Sequence, residues 1–340
     1  MARAIKFGLF LTNQHRPGSD LVAALDGQLE LVRTARDAGW DSIFVGQHFL
    51  PEGMTMLQPA PFLARLAGEA AGMTLGVGIL LLALHNPVDV AETWGSMDVV
   101  SGGRLVFAVG LGYRQPEYDA FGIALSDRVG RFELNLEIVK RLWSGETVSC
   151  ETPWCRLHEA VCGTLPVQRP RPPIWLAANS DRAVVRAARL GDTWLINPHA
   201  TLATVASQLE LFRAERTAAG LAPPDELPVI REVCCAPTRQ QAFERCSRYL
   251  TEKYERYADW GQDKVLPGRD SFRVPLESLS EDRFVVGSPD ECTERLRGWR
   301  DQLGVNHFLF RTDWIGMPLE SSLESIRLLT TEVLPALRAE

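Results

Sequence analysis

The chain repeatedly changes its hydrophobic period, setting a short β-branched or apolar run before a longer stretch with apolar residues at helical spacing. Residues 5–11 predict a strand. Residues 21–38 predict a helix with Leu25, Leu29, Val32 and Ala35 on one face and Gly39 as its stop. Strands are expected next at 42–45, 74–82 and 105–109, with helices at 61–71 and 88–100 between them. The rhythm breaks at 144–173, where Pro170, Pro172 and Pro173 force extended backbone. It resumes with strands at 174–178, 193–196, 228–234 and 306–310, separated by helices at 181–190, 202–219, 239–257 and 289–303. Residues 258–282 form a second irregular stretch, Ser288–Glu291 restarts a helix with a capping signature, and a last helix is expected over 319–337.

Eight strand–helix units in one chain favour a (β/α)8 TIM barrel over an open doubly wound sheet, with insertions after strands 4 and 7. The whole chain, 1–340, then reads as a single barrel domain. In a barrel, function sits on the loops that follow the strand C-termini, which directs attention to a handful of segments.

Composition narrows the chemistry. The 340 residues are 46% apolar and 23% charged, an ordinary globular balance that excludes a disordered chain. A net charge of −7 without any basic block leaves no footprint for nucleic acid or an anionic membrane. The longest apolar run, 73–84, is too short to cross a bilayer, and the N-terminus lacks a secretory core, so a cytoplasmic chain is expected. Seven cysteines fit neither a disulfide framework nor a zinc site and read as reduced thiols.

The familiar nucleotide, serine-hydrolase and zincin motifs are missing. Gly110-Leu111-Gly112-Tyr113-Arg114 after the fourth strand offers backbone N–H groups to a ligand, though alone such a run is an ordinary turn. His48, beside Gln47 where the second strand ends, has the side chain that titrates near neutrality. Arg128 and Arg131 flank the start of the fourth helix, where either suits a phosphate or a solvated first turn paired with Glu133. Asn179-Ser180-Asp181 opens a helix directly after a strand, a position that serves equally as a plain cap or as an anion site. If the barrel closes, Arg128 supplies the cation that such an anion site needs.

In order and spacing these stretches resemble the luciferase-like flavin-dependent oxidoreductases. The match includes 37–45 leading into Gln47-His48-Phe49, then 75–84, Asn86-Pro87-Val88, 101–105, 110–113, Phe121-Gly122, Arg131-Phe132-Glu133, Leu142-Trp143, Pro172–Trp175 and Val286–Pro289. The resemblance implies a TIM barrel with an insertion after strand 4 and a mobile loop after strand 7. It implies reduced FMN used with dioxygen on a small organic substrate, the flavin supplied by a separate flavin reductase, or else a deazaflavin carrying hydride. A homodimer is implied as well. A flavin-storing protein with its substrate cavity filled by the first insertion is a third possibility.

His48, whose ring can carry a proton near neutrality, is expected to be the catalytic residue; by the same resemblance it aligns with the second of two family histidines, the first being the often catalytic one, and the cofactor lies against Gln47, Gly78, Ile79, Leu111, Gly112, Arg128, Ala178, Asn179 and Ser180. Its phosphate lies near Asn179, Ser180 and Arg128, and a cis peptide at Gly78–Ile79 bulges toward the ring. Two positions depart from the family: Gln47 stands where the first of two histidines is common, and Leu111 where luciferase has an arginine. The loop 258–282 is expected to close over the flavin through Trp260 and Lys264.

Overall fold

The computed structural model describes residues 4–268 and 271–339. Eight parallel strands run β1 Lys6–Leu11, β2 Ser42–Val45, β3 Thr74–Leu81, β4 Leu105–Gly110, β5 Ile174–Ala178, β6 Thr193–Ile196, β7 Pro228–Cys235 and β8 His307–Arg311. Each pairs with the next. The pairings of Ile196 with Val229, on β6 and β7, and of Phe7 with Phe308, on β1 and β8, complete the ring, so the sheet is a closed barrel. These strands lack polar–apolar alternation because helices cover one side and barrel packing fills the other; all eight residues of β7 are buried.

The covering helices are α1 Leu21–Asp37, α2 Pro59–Glu69, α3 Pro87–Ser101, α4 Arg128–Trp143, α5 Asp181–Leu190, α6 Leu202–Ala218, α7 Arg239–Asp259, α8 Pro289–Leu303 and α9 Leu319–Leu328. Their ends follow local chemistry. Asp20 caps α1 by accepting from the N–H groups of Val22 and Ala23. Ser288 and Glu291 form a reciprocal capping box on α8, worth about 1 kcal/mol. Gly304 closes the same helix at φ 76°, a backbone region that costs glycine nothing.

Four expectations need correction. The stretch 144–173 contains an antiparallel hairpin, Val148–Glu151 with Arg156–Ala160, too short to show a period. It is tied down by Asp98 of α3, whose buried carboxylate accepts from the N–H groups of Val167 and Gln168 at 2.7 and 2.9 Å. The stretch 258–282 is also partly ordered. It holds the tail of α7, a 3₁₀ turn Asp263–Val265 and a helix Leu276–Ser280, while residues 269–270 lie outside the described residues. A short strand, Val285–Gly287, extends the C-terminal end of β7 outside the ring. Finally, the last helix is interrupted: α9 gives way to a π turn at Leu329–Val333 before Leu334–Arg338, because Pro335 has no N–H for the regular ladder.

Inside the ring, Phe10, Phe44, Val106, Ala108, Trp175, Leu195, Ile230 and Leu309 form a core separate from the larger one between strands and helices. Phe44 stacks on Trp175 with ring centroids 5.2 Å apart, and a Cβ at Gly76 would lie 2.0 Å from the Phe44 ring, so only glycine admits this packing. Below it, Ser42 Oγ lies 2.8 Å from His307 Nε2, and His307 Nδ1 lies 2.9 Å from Glu226, which also pairs with Lys6.

Candidate active site

A cavity of about 280 Å³ opens at the C-terminal ends of the strands. His48 and all nine residues named above as cofactor contacts, from Gln47 to Ser180, line it, although they come from the ends of β3 and β5, the loops after β2, β4 and β5, and the start of α4. Phe10, Leu195 and Ile230 of the inner core also line it. No residue of the 144–173 insertion does, so that insertion leaves the cavity open.

One wall is prepared for an anion. Ser180 is the N-cap of α5 but its hydroxyl makes no capping bond, so hydroxyl and first-turn N–H groups face the same ligand position. Asp181, the acidic residue nearby, is engaged by Gln208 Nε2 at 3.0 Å. Arg128 uses Nη1 on the Leu125 carbonyl at 2.6 Å, which fixes the side chain against the cavity and leaves its other donors without a protein partner among the described residues. Gly112 has φ 79°, and a Cβ there would lie 3.1 Å from Leu81 Cδ2, so the turn after β4 requires glycine. Arg131 does not join this wall. One helical turn beyond Arg128, it donates to the Ala83 carbonyl at 3.0 Å and its guanidinium covers Trp154 at 4.4 Å. Glu133, its proposed partner, pairs instead with Arg186.

Across the floor, the Gly78–Ile79 peptide is cis, as the resemblance implied. Ile79 fills the place a side chain at Gly110 would need: a Cβ there would lie 2.1 Å from Ile79 Cδ1. Gln47 is held by the protein itself. Its Oε1 accepts from the Leu81 N–H at 2.9 Å, and its Nε2 donates to Gln58 at 3.1 Å, so one amide N–H remains for a ligand.

His48 owes its orientation to a residue the sequence reading missed. Glu117, in the short helix Gln115–Ala120, accepts from the Phe49 N–H at 2.9 Å, from Arg114 Nη1 at 3.2 Å and lies 3.0 Å from His48 Nδ1. Burial alone would raise this carboxyl, but the His48 hydrogen bond and charge, the Phe49 N–H and Arg114 reverse that and hold it below the usual range. An ionised carboxylate only accepts, so His48 Nδ1 carries the proton of their bond. Nε2 is thereby left as the ring nitrogen without a protein partner. In the neutral ring that nitrogen holds the lone pair. Trp260 packs against His48 at 5.4 Å and beneath the Arg114 guanidinium at 4.3 Å. Lys264, the other expected loop contact, is exposed and turned away. The 3₁₀ turn brings Gln262 and Val265, three residues apart, to the cavity instead. Tyr113 also lines the wall, and burial pushes its phenol far above its usual range, so it stays a hydrogen-bond donor.

The sequence reading also missed a buried polar cluster under β7 and β8. Glu232 accepts from Lys253 at 2.5 Å and from Trp314 Nε1 at 2.7 Å, with Arg311 at 3.5 Å. His199, on the cavity wall, is held well below its ordinary range by burial, reinforced by Arg311, Lys253, Arg231 and Arg283. The signal was available in β7: an Arg231–Glu232 pair inside an otherwise apolar strand demands buried partners.

The profile of the luciferase-like monooxygenases matches residues 5–307. The chain belongs to this family. Among its relatives, 4-hydroxyprotoasukamycin monooxygenase of Streptomyces nodosus subsp. asukaensis is 26% identical over 309 residues, covering 88% of this chain and 83% of that one. Among solved structures, monooxygenase RslO1 from Streptomyces bottropensis superposes with a TM-score of 0.85 at 25% identity, covering 98% and 100% of the two chains. The oxygenating constituent of 3,6-diketocamphane monooxygenase of Pseudomonas putida, in complex with FMN, shares the fold with a TM-score of 0.80 at 21% identity and 98% coverage of both chains. This luciferase-like chain has no helix long and apolar enough to cross a membrane among its described residues.

Proposed function

We propose that this luciferase-like protein is the oxygenating component of a two-component flavin monooxygenase, taking reduced FMN from a separate reductase and using dioxygen to oxygenate a small organic substrate. The observation that carries the reading is the uncommitted Ser180 hydroxyl at the start of α5, facing the same cavity as Arg128. The residues fit a flavin: an anion cradle at one end, glycines at 78, 110 and 112 where side chains would collide, and an apolar floor between. FMN in complex with the Pseudomonas putida enzyme of the same fold supports the choice of flavin.

Bound reduced FMN supplies the electrons that activate dioxygen. The protein binds, orients and keeps the chemistry dry. Ser180, Asn179 and Arg128 would hold the phosphate, while Ile79 and Gln47 border the ring position. His48 Nε2 takes up or delivers a proton, held in position by Glu117, and Tyr113 donates a hydrogen bond. Trp260, through its contacts with His48 and Arg114, ties the stretch after α7 to this wall. The same reading takes the protein to be a cytoplasmic homodimer.

Titration under nitrogen with reduced FMN, oxidised FMN and a deazaflavin tests the reading, with quenching of the protein's tryptophan fluorescence as the signal. Low-micromolar binding of reduced FMN is expected, followed on admission of air by oxygen consumption at a rate distinct from that of the same reduced FMN free in solution. Tighter deazaflavin binding without oxygen consumption would instead establish a hydride-transferring enzyme.

A further inference from the structure

Arg311, the last residue of β8, lines the cavity, yet its side chain makes no hydrogen bond to the protein among the described residues. Its Nε is fully buried and unpartnered. Its guanidinium lies over the Phe10 ring at 4.1 Å, which leaves the in-plane donors free at the ring edge. The Glu232 carboxylate at 3.5 Å is the one ion-pair partner it has among the described residues, and Lys253 and Trp314 hold that carboxylate at shorter range. Three buried cations, Arg231, Lys253 and Arg283, together with the largely buried Arg311, therefore face two carboxylates, Glu232 and Asp313. Asp313 is itself taken by Thr12 and Gln28.

A buried guanidinium with spare donors is stable only if an acceptor completes it. The flavin phosphate does not fill this role in the geometry above. Its cradle stands on β4 and β5, whereas β8 faces β4 across a ring of eight strands. The rest of this side of the cavity includes Phe10, Ile230 and Val265, with the Gln262 side-chain oxygen Oε1 also buried and unpartnered.

We propose that Arg311 is the recognition point for an anionic oxygen of the substrate, so that this cavity selects apolar organic molecules bearing one carboxylate, phenolate or enolate. The inference rests on the reading that the Ser180–Arg128 end is occupied by the flavin phosphate. Arg311 is then a specificity-determining residue, and a planar fork suits a charged oxygen better than a neutral amide.

Calorimetric titration of the protein loaded with FMN, using benzoate and its neutral isostere benzamide, tests it. Wild type is expected to bind benzoate about ten-fold or more tightly than benzamide, in keeping with a charge-assisted contact. Arg311→Gln should bring the two affinities together with FMN binding unchanged, and Arg128→Ala should leave the preference intact. Equal affinities in wild type would overturn the proposal, as would a preference that survives Arg311→Gln or disappears in Arg128→Ala. If Arg311→Gln does not fold, Arg311→Lys decides, since it keeps the charge beside Glu232: a weakened preference supports the proposal and an unchanged one refutes it. Should FMN fail to bind while the benzoate preference still follows Arg311, the flavin reading falls and the anion site stands.

Discussion

Glu117→Gln is the most searching perturbation of the site, because three donors converge on the carboxylate Oε1 and the amide removes the charge they surround while leaving an oxygen in its place. Wild-type Glu117 takes the Phe49 N–H, Arg114 and His48 within 2.9–3.2 Å. Removing one member of a buried ion pair costs about 3–5 kcal/mol, and the retained amide oxygen, still facing the same donors, returns about 1 kcal/mol. The net loss is about 2–4 kcal/mol. Spread over the unfolding entropy of a chain this long, it lowers Tm by roughly 3–6 °C. The chemical effect is larger than the structural one. The Phe49 N–H and Arg114 keep the amide oxygen toward His48 Nδ1, so the ring stays oriented but loses the negative charge that faces it when it takes up a proton. Turnover should fall about 10²-fold, with FMN affinity preserved. Because the folded carboxyl titrates below its ordinary range, its stabilisation is complete above the unfolded pKa near 4.3 and is lost as pH falls through the folded value. The wild-type and variant melting curves should therefore converge in acid. Melting temperatures from pH 3 to 8, flavin titration and a pH–rate profile read all of this. Turnover within two-fold of wild type, with an unshifted profile, would refute the orienting role of Glu117.

Other outcomes follow from the same geometry. Arg128→Ala should weaken FMN binding by about 1.5–3 kcal/mol, read by equilibrium titration, because a charge-assisted contact is lost. His48→Asn should lower turnover by about 10² in steady-state assays while flavin binding stays normal. Gly110→Ala should cost about 1–3 kcal/mol in denaturant unfolding and displace the floor, since the new Cβ would lie 2.1 Å from Ile79. Glu226, brought down to about 2 by His307 and Lys6 despite burial, stabilises the fold above about pH 4.5. Acid unfolding of Glu226→Gln should accordingly show a flatter pH dependence between about pH 4.5 and 2 than wild type does.

The barrel was legible because each of its strands is buried on both faces and appears as a short apolar run; the strand at 42–45 and the helices at 181–190 and 289–303 have the bounds expected of them. The turns after the strands were legible as well, since glycines such as Gly112 leave a local signature, and the residues there line the cavity. Glu117 was hidden because its short helix lies inside what reads as a loop, and its partners Phe49 and His48 are distant in sequence. Arg311 escaped for a related reason: one arginine closing an apolar strand resembles any solvated strand end until the barrel folds around it. The hairpin at 148–160 and the π turn before Pro335 depend on tertiary anchoring and on a single missing N–H, neither of which has a period.

The stacked Phe44 and Trp175 rings also govern traffic. Trp175 borders the second cavity, at the opposite end of the barrel, while Phe10 and Ile230 of the same inner core border the first, so the two openings do not communicate through the lumen. The site is a tube sealed at the bottom. Whatever lies deepest must enter first and leave last, so under the proposed function an oxygenated product seated over the flavin would have to depart before spent flavin could be exchanged at the same mouth. A slow-leaving product would then limit resupply of reduced cofactor as well as its own release, and the wait would lengthen as the product grows.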